Sequence, residues 1–338
     1  MRHADRVICA LGVAAVAAIA MSGERAYTQA NPDPNAAPNP YRLEENWAQL
    51  PAGRKMGSAI GVEADKDGKS IWVFDRCGAA SCANSPLNPI QKFDPSGKFV
   101  TSFGANLFNN PHGLGIDRDG NVYASDFVTN NGRGAAVYKF SPTGQVLMTL
   151  GRPGMPGNGH DYLNGPTDVA IAPNGDIYVT DGHGGTTNDR IMKFSKDGRF
   201  IATWGKHGKA QGEFDTLHGI ALDSAGRVYV ADRANSRIQI FDGDGKFIAE
   251  WKQFGRPSGV VIDKNDMIYV SDTQSNQNNN PGFKQGVRIG SVKDGKVTAF
   301  IPEMAPEMGV PEGIGVDDQG IIYGGWTAKM NLRRFVKK

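Results

Sequence analysis

Residues 218–251 read HGIALDSAGRVYVADRANSRIQIFDGDGKFIAEW. A short polar start leads into an alternating apolar run, a turn, a second run ending at Asp232, and then a third and a fourth run, with Asp244-Gly245 between these last two. Alternation over five or six positions is the period of a half-buried strand, and Asp-Gly between two such runs is a hairpin turn. The pattern occurs six times. The other units begin near Ser58, Pro111, Pro166, Pro257 and Pro311, with second runs IWVFD, NVYASD, DIYVTD, MIYVSD and IIYGG. Those runs close at positions 75, 126, 181, 232, 272 and 325, so the successive spacings are 51, 55, 51, 40 and 53. Four strands per unit at this period predict an all-β six-bladed β-propeller, because a single unit can bury its two faces only against its neighbours. The last unit supplies only three runs before Lys338. The segment YRLEENW (41–47) stands before the first unit as a fourth strand stands before the others, and is expected to complete the last blade.

The composition agrees with that fold. The chain has 338 residues, 39% hydrophobic, with 44 Gly and 19 Pro, a profile of strands and turns. Lys plus Arg number 37 against 35 Asp plus Glu. So even a balance argues against a nucleic-acid surface, which needs a clustered excess of Lys and Arg. Arg2 and Arg6 precede an apolar stretch from Val7 to Met21, followed by small and polar residues to Ala30, the order of an export signal. Residues 1–30 are therefore read as a signal peptide, 31–40 (NPDPNAAPNP) as a solvated linker and 41–338 as the propeller. A periplasmic or secreted monomer, free of the membrane after cleavage, is expected. Cys9 leaves with the signal, so Cys77 and Cys82 remain in an oxidising compartment and are predicted to form a disulfide.

Aligning the units by the start of the innermost strand puts Ala59, His112, Thr167, His218, Ser258 and Glu312 at one position. Innermost strands line the central channel, so His112, His218 and Glu312, on alternate blades, converge. Two histidines and a carboxylate with an open position suit a catalytic divalent metal, zinc above all, with Fe²⁺ also compatible. Polar channel residues bonded to water are the alternative. The Asp that ends the second strand in five units, at positions 75, 126, 181, 232 and 272, recurs too often to be catalytic and is read as a cap for backbone amides. After it, the units carry Arg76, Phe127, Gly182, Arg233, Thr273 and Trp326.

The pattern resembles NHL repeats. Between Asn106 and Trp251, the stretches NLFNNPHGLGIDRDGN, GPTDVAIAPNGDIYVTDG, LHGIALD and VYVADRANSRIQIF are similar, in order, to the peptidyl-α-hydroxyglycine α-amidating lyase family. The resemblance implies zinc held by three histidines on alternate blades, with His112 and His218 at two of the places and Glu312 at the third. Arg76 and Arg233 match arginines that hold a substrate carboxylate and orient a catalytic base. His183 takes the place of the family's catalytic tyrosine and is expected to act as general base. Val310 replaces a methionine near the metal. Gly313 stands where the family has an aspartate that helps hold a structural calcium, leaving only backbone carbonyls such as that of Leu114, so calcium is not expected.

Three functions are consistent with these residues. A metal-dependent lyase would cleave the C–N bond of a small-molecule or peptide α-hydroxyglycine-type substrate, recognised by its carboxylate, to an amide and glyoxylate. A metal-dependent hydrolase of the lactonase kind is the second. A non-catalytic ligand-binding or scaffold propeller is the third, favoured by loss of the tyrosine, the third histidine and the methionine.

Overall fold

Each repeat forms one four-stranded antiparallel sheet in the computed structural model, which describes residues 33–305 and 307–338. The predicted signal lies outside the described residues. Blade four, from the stretch quoted above, comprises Leu217–Leu222, Val228–Asp232, Arg237–Phe241 and Phe247–Trp251. Blades one, two, three and five repeat the order, with innermost strands Ala59–Ala64, Pro111–Ile116, Pro166–Ile171 and Pro257–Ile262. Blade six is built from Gly313–Val316, Ile322–Trp326 and Asn331–Lys337, and Tyr41–Glu44 pairs with the last of these as its outer strand. Tyr41 faces Lys337 and Leu43 faces Phe335 across that pair, so one sheet holds strands from opposite ends of the fold. The seam continues into blade one. Trp47 packs 4.8 Å from the Tyr323 ring and 5.9 Å from Phe93.

The second strands are buried along their length, apart from half-buried Met267 at the start of that of blade five, as both faces meet a neighbouring blade. Polar groups mark their two ends. At one end the recurrent Asp accepts backbone N–H groups: Asp75 from Gly57 and Gly78, Asp126 from Asn109 and Asn110, Asp181 from Asn164, Asp232 from Asp215, Asp272 from Ser275. At the other end an Asp in the first turn accepts from an aromatic of the second strand. These pairs are Asp65 with Trp72, Asp117 with Tyr123, Asp223 with Tyr229, Asp263 with Tyr269 and Asp317 with Tyr323. Buried carboxylates thus have donors, as burial requires.

Residues 33–40 are docked against blade five. Arg288, fully buried, donates to the Pro34 carbonyl and to Asn35 Oδ1, and Phe300 N donates to the Pro38 carbonyl. Pro and Asn offer little apolar area, but here their carbonyls satisfy a buried guanidinium.

Candidate metal centre

In blades two and four the innermost strand carries a bulge, where pairing slips between Pro111 and Leu114 and between Leu217 and Ile220. A bulge redirects the side chain it carries, and those bulges present His112 and His218 to the channel, which Ile60, Glu63, Asp168 and Glu312 also line. In register, Ala59 pairs with Asp75 as Pro111 pairs with Asp126, so the blade-one counterpart of His112 is Ile60 and not Ala59. The residue after the channel position is glycine in five blades: Gly61, Gly113, Gly219, Gly259 and Gly313. There the innermost strands nearly touch. A Cβ at Gly113 would lie 2.1 Å from Asp168 Oδ1, and one at Gly313 only 1.6 Å from the Ile60 carbonyl oxygen. Blade three has Asp168 instead, whose Oδ2 accepts from Ile220 N.

His112 and His218 are almost wholly buried and oriented alike. His112 Nδ1 lies 2.8 Å from the Thr167 carbonyl and His218 Nδ1 lies 3.2 Å from the Ser258 carbonyl, each in the next blade. A carbonyl can only accept, so Nδ1 carries the proton and Nε2 the lone pair. Both Nε2 atoms are buried with no hydrogen-bond partner among the described residues. Burial of each ring, together with Arg233 beside His218 and the other imidazoles beside His112, holds both pKa values below the ordinary histidine value.

His183 joins them from a turn above blade three. Its N–H donates to Thr187 Oγ1, which in turn donates to the Gly184 carbonyl. Gly165 leaves room for this turn: a Cβ there would meet Thr187 at 2.7 Å. One ligating nitrogen from each of His112, His183 and His218 lies within 4.8 Å of the others. The ring centroids are 4.6 to 5.5 Å apart. Burial first, then His218 and Arg233, pushes the His183 pKa down to about 3, far from the neutral value expected of a free general base.

Glu312 stands at the edge of this group. Its Oε1 is 3.0 Å from His218 Nε2 without hydrogen-bond alignment, and 3.3 Å from Arg233 Nη1. Thr327 donates to Oε2 at 2.6 Å. Burial alone would raise the Glu312 pKa, but the Thr327 hydroxyl and the Arg233 guanidinium outweigh it and hold the carboxylate ionised. Arg233 is thereby matched by a carboxylate. Arg76 is not: it donates through Nε to the Pro111 carbonyl and lies 5.6 Å from the Phe127 ring. Burial lowers the pKa of both arginines. Phe127 walls the site between Arg76 and the imidazoles, 4.5 Å from the His183 ring and 5.1 Å from that of His112. Sequence reasoning placed Phe127 at the right repeat position without giving it a role, and it missed Thr327.

Cys77 and Cys82 are joined as a disulfide immediately after Arg76. Cys82 N and Ser81 Oγ both donate to the Asn109 carbonyl, which ties this loop to blade two.

The donor set fits a divalent transition metal. Two buried imidazole nitrogens without partners, tautomers set by backbone carbonyls, and a third imidazole within reach are the ligands and outer supports such an ion uses. For calcium the fit at position 313 is poor, since the Ile60 carbonyl occupies the space of any side chain there.

The comparisons with known proteins agree with the repeat. The NHL repeat family matches residues 163–194 and 214–241, in blades three and four. Peptidyl-glycine alpha-amidating monooxygenase B of Xenopus laevis is 35% identical over 213 residues, covering 56% of this chain and 23% of that protein. Peptidyl-alpha-hydroxyglycine alpha-amidating lyase 1 of Drosophila melanogaster is 32% identical over 213 residues, covering 57% of this chain and 36% of its own length. The match thus spans well under half of either relative. Among solved structures, a gluconolactonase from Xanthomonas campestris superposes with a TM-score of 0.58 at 17% identity, over 90% of this chain and 97% of that one. Propeller, repeat and relatives together make the chain an NHL-repeat six-bladed β-propeller that resembles the peptidyl-α-hydroxyglycine α-amidating lyase family.

Proposed function

We propose that this propeller is an exported, metal-dependent lyase acting on α-hydroxyglycine-type substrates. The observation that carries the reading is Arg76, a largely buried guanidinium with no carboxylate partner among the described residues, placed near two imidazole nitrogens that also lack hydrogen-bond partners there. A buried cation without a counter-ion calls for an anionic ligand, and guanidinium geometry suits a carboxylate. The substrate carboxylate would dock on Arg76, with its α-hydroxyl toward His112 and His218. A divalent ion held by these histidines would act as a Lewis acid on that hydroxyl. Phe127 would exclude water from one side. Arg233, already neutralised by Glu312, would orient that carboxylate and leave Arg76 as the anion receptor. The reaction balances within the substrate: the N–Cα bond breaks, the hydroxyl becomes the aldehyde of glyoxylate, and its proton ends on the amide nitrogen. The disulfide supports the export reading, because such bonds persist in oxidising compartments.

The test is direct. Metal-reconstituted protein supplied with α-hydroxyhippurate should release benzamide and glyoxylate in equal amounts. If no glyoxylate appears while an aldonolactone is hydrolysed, the site is a hydrolase. If neither reacts, the propeller is a binding module.

A further inference from the structure

We propose that the third metal ligand of this chain is His183, supplied by the turn above blade three, and that Glu312 is a positioning residue for His218 and Arg233. The inference rests on the metal part of the function proposed above and is independent of the reaction. Its starting point is the contrast between the two side chains. The imidazole of His183 has no hydrogen bond among the described residues, while its backbone is fixed: N–H to Thr187 Oγ1 at 2.8 Å, and Thr187 Oγ1 to the Gly184 carbonyl at 2.9 Å. The base of the ligand is therefore fixed, while its ring is held only by packing against Phe127 and the other imidazoles and by no hydrogen bond among the described residues. Nitrogens bound to one tetrahedral ion at about 2.0 to 2.1 Å stand roughly 3.3 Å apart. One nitrogen from each of the three histidines already lies within 4.8 Å of the others, so small side-chain adjustments, largest at the ring without a hydrogen bond, would bring them to that spacing.

Glu312 is in the opposite condition. Thr327 holds Oε2 and Arg233 faces Oε1, so both oxygens are engaged and the negative charge has its counter-ion. Pulling this carboxylate onto a metal would strand a largely buried Arg233, whose Nε already lacks a partner. An unpaired buried charge is the costliest outcome at such a site. Left in place, Glu312 fixes Arg233 and sets a negative charge 3.0 Å from His218 Nε2, beside the position of an ion on that nitrogen. The exchange has a chemical consequence. Three neutral imidazoles leave the full double charge on the ion, whereas a ligating carboxylate would reduce it and with it the Lewis acidity.

The experiment compares metal binding, without any substrate, in wild type and three variants of the mature chain. Zinc stoichiometry and affinity come from a competing chromophoric chelator, and the visible spectrum of the cobalt(II) form reports the ligand set. His183→Ala should weaken binding by at least ~10- to 100-fold and change the cobalt spectrum; His183→Cys, which restores a ligand of a different type, should recover stoichiometric binding with a new thiolate-to-cobalt band. Glu312→Gln should keep wild-type stoichiometry and spectrum. Thermal melts of the metal-free proteins identify any variant that fails to fold; if His183→Ala does, the His183→Cys band decides, and its absence counts against the ligand. Wild-type affinity in His183→Ala, or loss of the ion in a folded Glu312→Gln, would overturn the assignment while leaving the lyase reading intact. A wild type that takes up neither zinc nor cobalt would overturn both.

Discussion

Arg76 Nε lies 3.2 Å from the carbonyl oxygen of Pro111, the residue directly before His112. The guanidinium is thus anchored by the same strand that presents a candidate ligand, and its position relative to that imidazole is set by the strand itself. Replacing Arg76 with Ala should lower kcat/KM for α-hydroxyhippurate by at least ~10- to 100-fold, since a charge-assisted hydrogen bond contributes about 1.5 to 3 kcal/mol. Lys in its place should recover only part, because it lacks the paired donors. Steady-state kinetics on both variants, with zinc content shown to be unchanged, checks this; wild-type kinetics in Arg76→Ala would remove Arg76 from the substrate site.

Gly313 should tolerate no side chain. With the Ile60 carbonyl in the way, Gly313→Ala forces two innermost strands apart, and overpacking of this kind costs about 1 to 3 kcal/mol or more. Urea denaturation should show a lower midpoint at an unchanged slope. Gly53→Ala is a useful control: its φ of +78° adds local strain, but nothing lies near its Cβ. A Gly313→Ala variant as stable as wild type would mean that blades one and six pack less closely than described.

The Cys77–Cys82 bridge closes a loop of six residues. In the chain-entropy account such a short loop stabilises by only about 2 kcal/mol. Its other effect is local, since Arg76 is adjacent. Changing both cysteines to Ser should lower the melting temperature modestly and raise KM for a carboxylate substrate more than it lowers kcat. Thiol titration of the unreduced, denatured mature protein should find no free thiol; two would mean that the bridge does not form.

The stability contributed by Asp168 and Glu63 should fall as pH rises from about 4 to about 7, against His112, His183 and His218, whose lowered pKa values make their own contribution rise with pH over that range. Burial in the channel raises the Asp168 pKa to about 7, and burial together with Asp168 raises that of Glu63. In that window the folded chain keeps protons on these two carboxyls that the unfolded chain has released, so through them raising pH favours unfolding, by at most about 1.4 kcal/mol per pH unit for each proton. Below pH 4 both states are protonated and these groups add no slope. Asp168→Asn should remove the Asp168 share, so that stability falls less, or rises more, from pH 5 to pH 8 than in wild type, as read from urea midpoints. A slope identical to wild type would show that Asp168 is ionised throughout.

Much of this architecture was legible in the residues. The alternating runs and their Gly-containing turns place 24 strands because half-buried sheets impose period two on any sequence that forms them. Blade one was offset by one residue, since Ser58-Ala59-Ile60 lacks the Pro-His-Gly or Leu-His-Gly mark and register there follows from pairing with Asp75. His112, His218, Arg76 and Arg233 stood out through repeat positions. His183 was also expected beside the metal, from its place after the second strand of blade three, but as a general base; that its ring nitrogen comes within 4.8 Å of those of His112 and His218 depends on a turn shaped by Thr187 and Gly165 and not on strand period. The Arg233–Glu312 pair joins residues 79 apart across the channel, which no local pattern records. Residues 33–40 looked solvated by composition, yet their carbonyls answer Arg288, a need visible only once the fifth blade exists.

The pairing of Tyr41–Glu44 with Asn331–Lys337 also sets an order of assembly. His112, His183 and His218 come from three consecutive blades, which can stack as their chain segment forms, whereas Glu312 and Thr327 belong to the blade that needs both ends. Joining the ends is the contact of greatest sequence separation, and such contacts carry the largest loop-closure cost and tend to form last. During refolding, zinc uptake by the histidines should therefore precede the burial of Trp47 at the seam, a lag that stopped-flow fluorescence can time against a chelator signal. The ion would meet a half-ring before it meets a closed one.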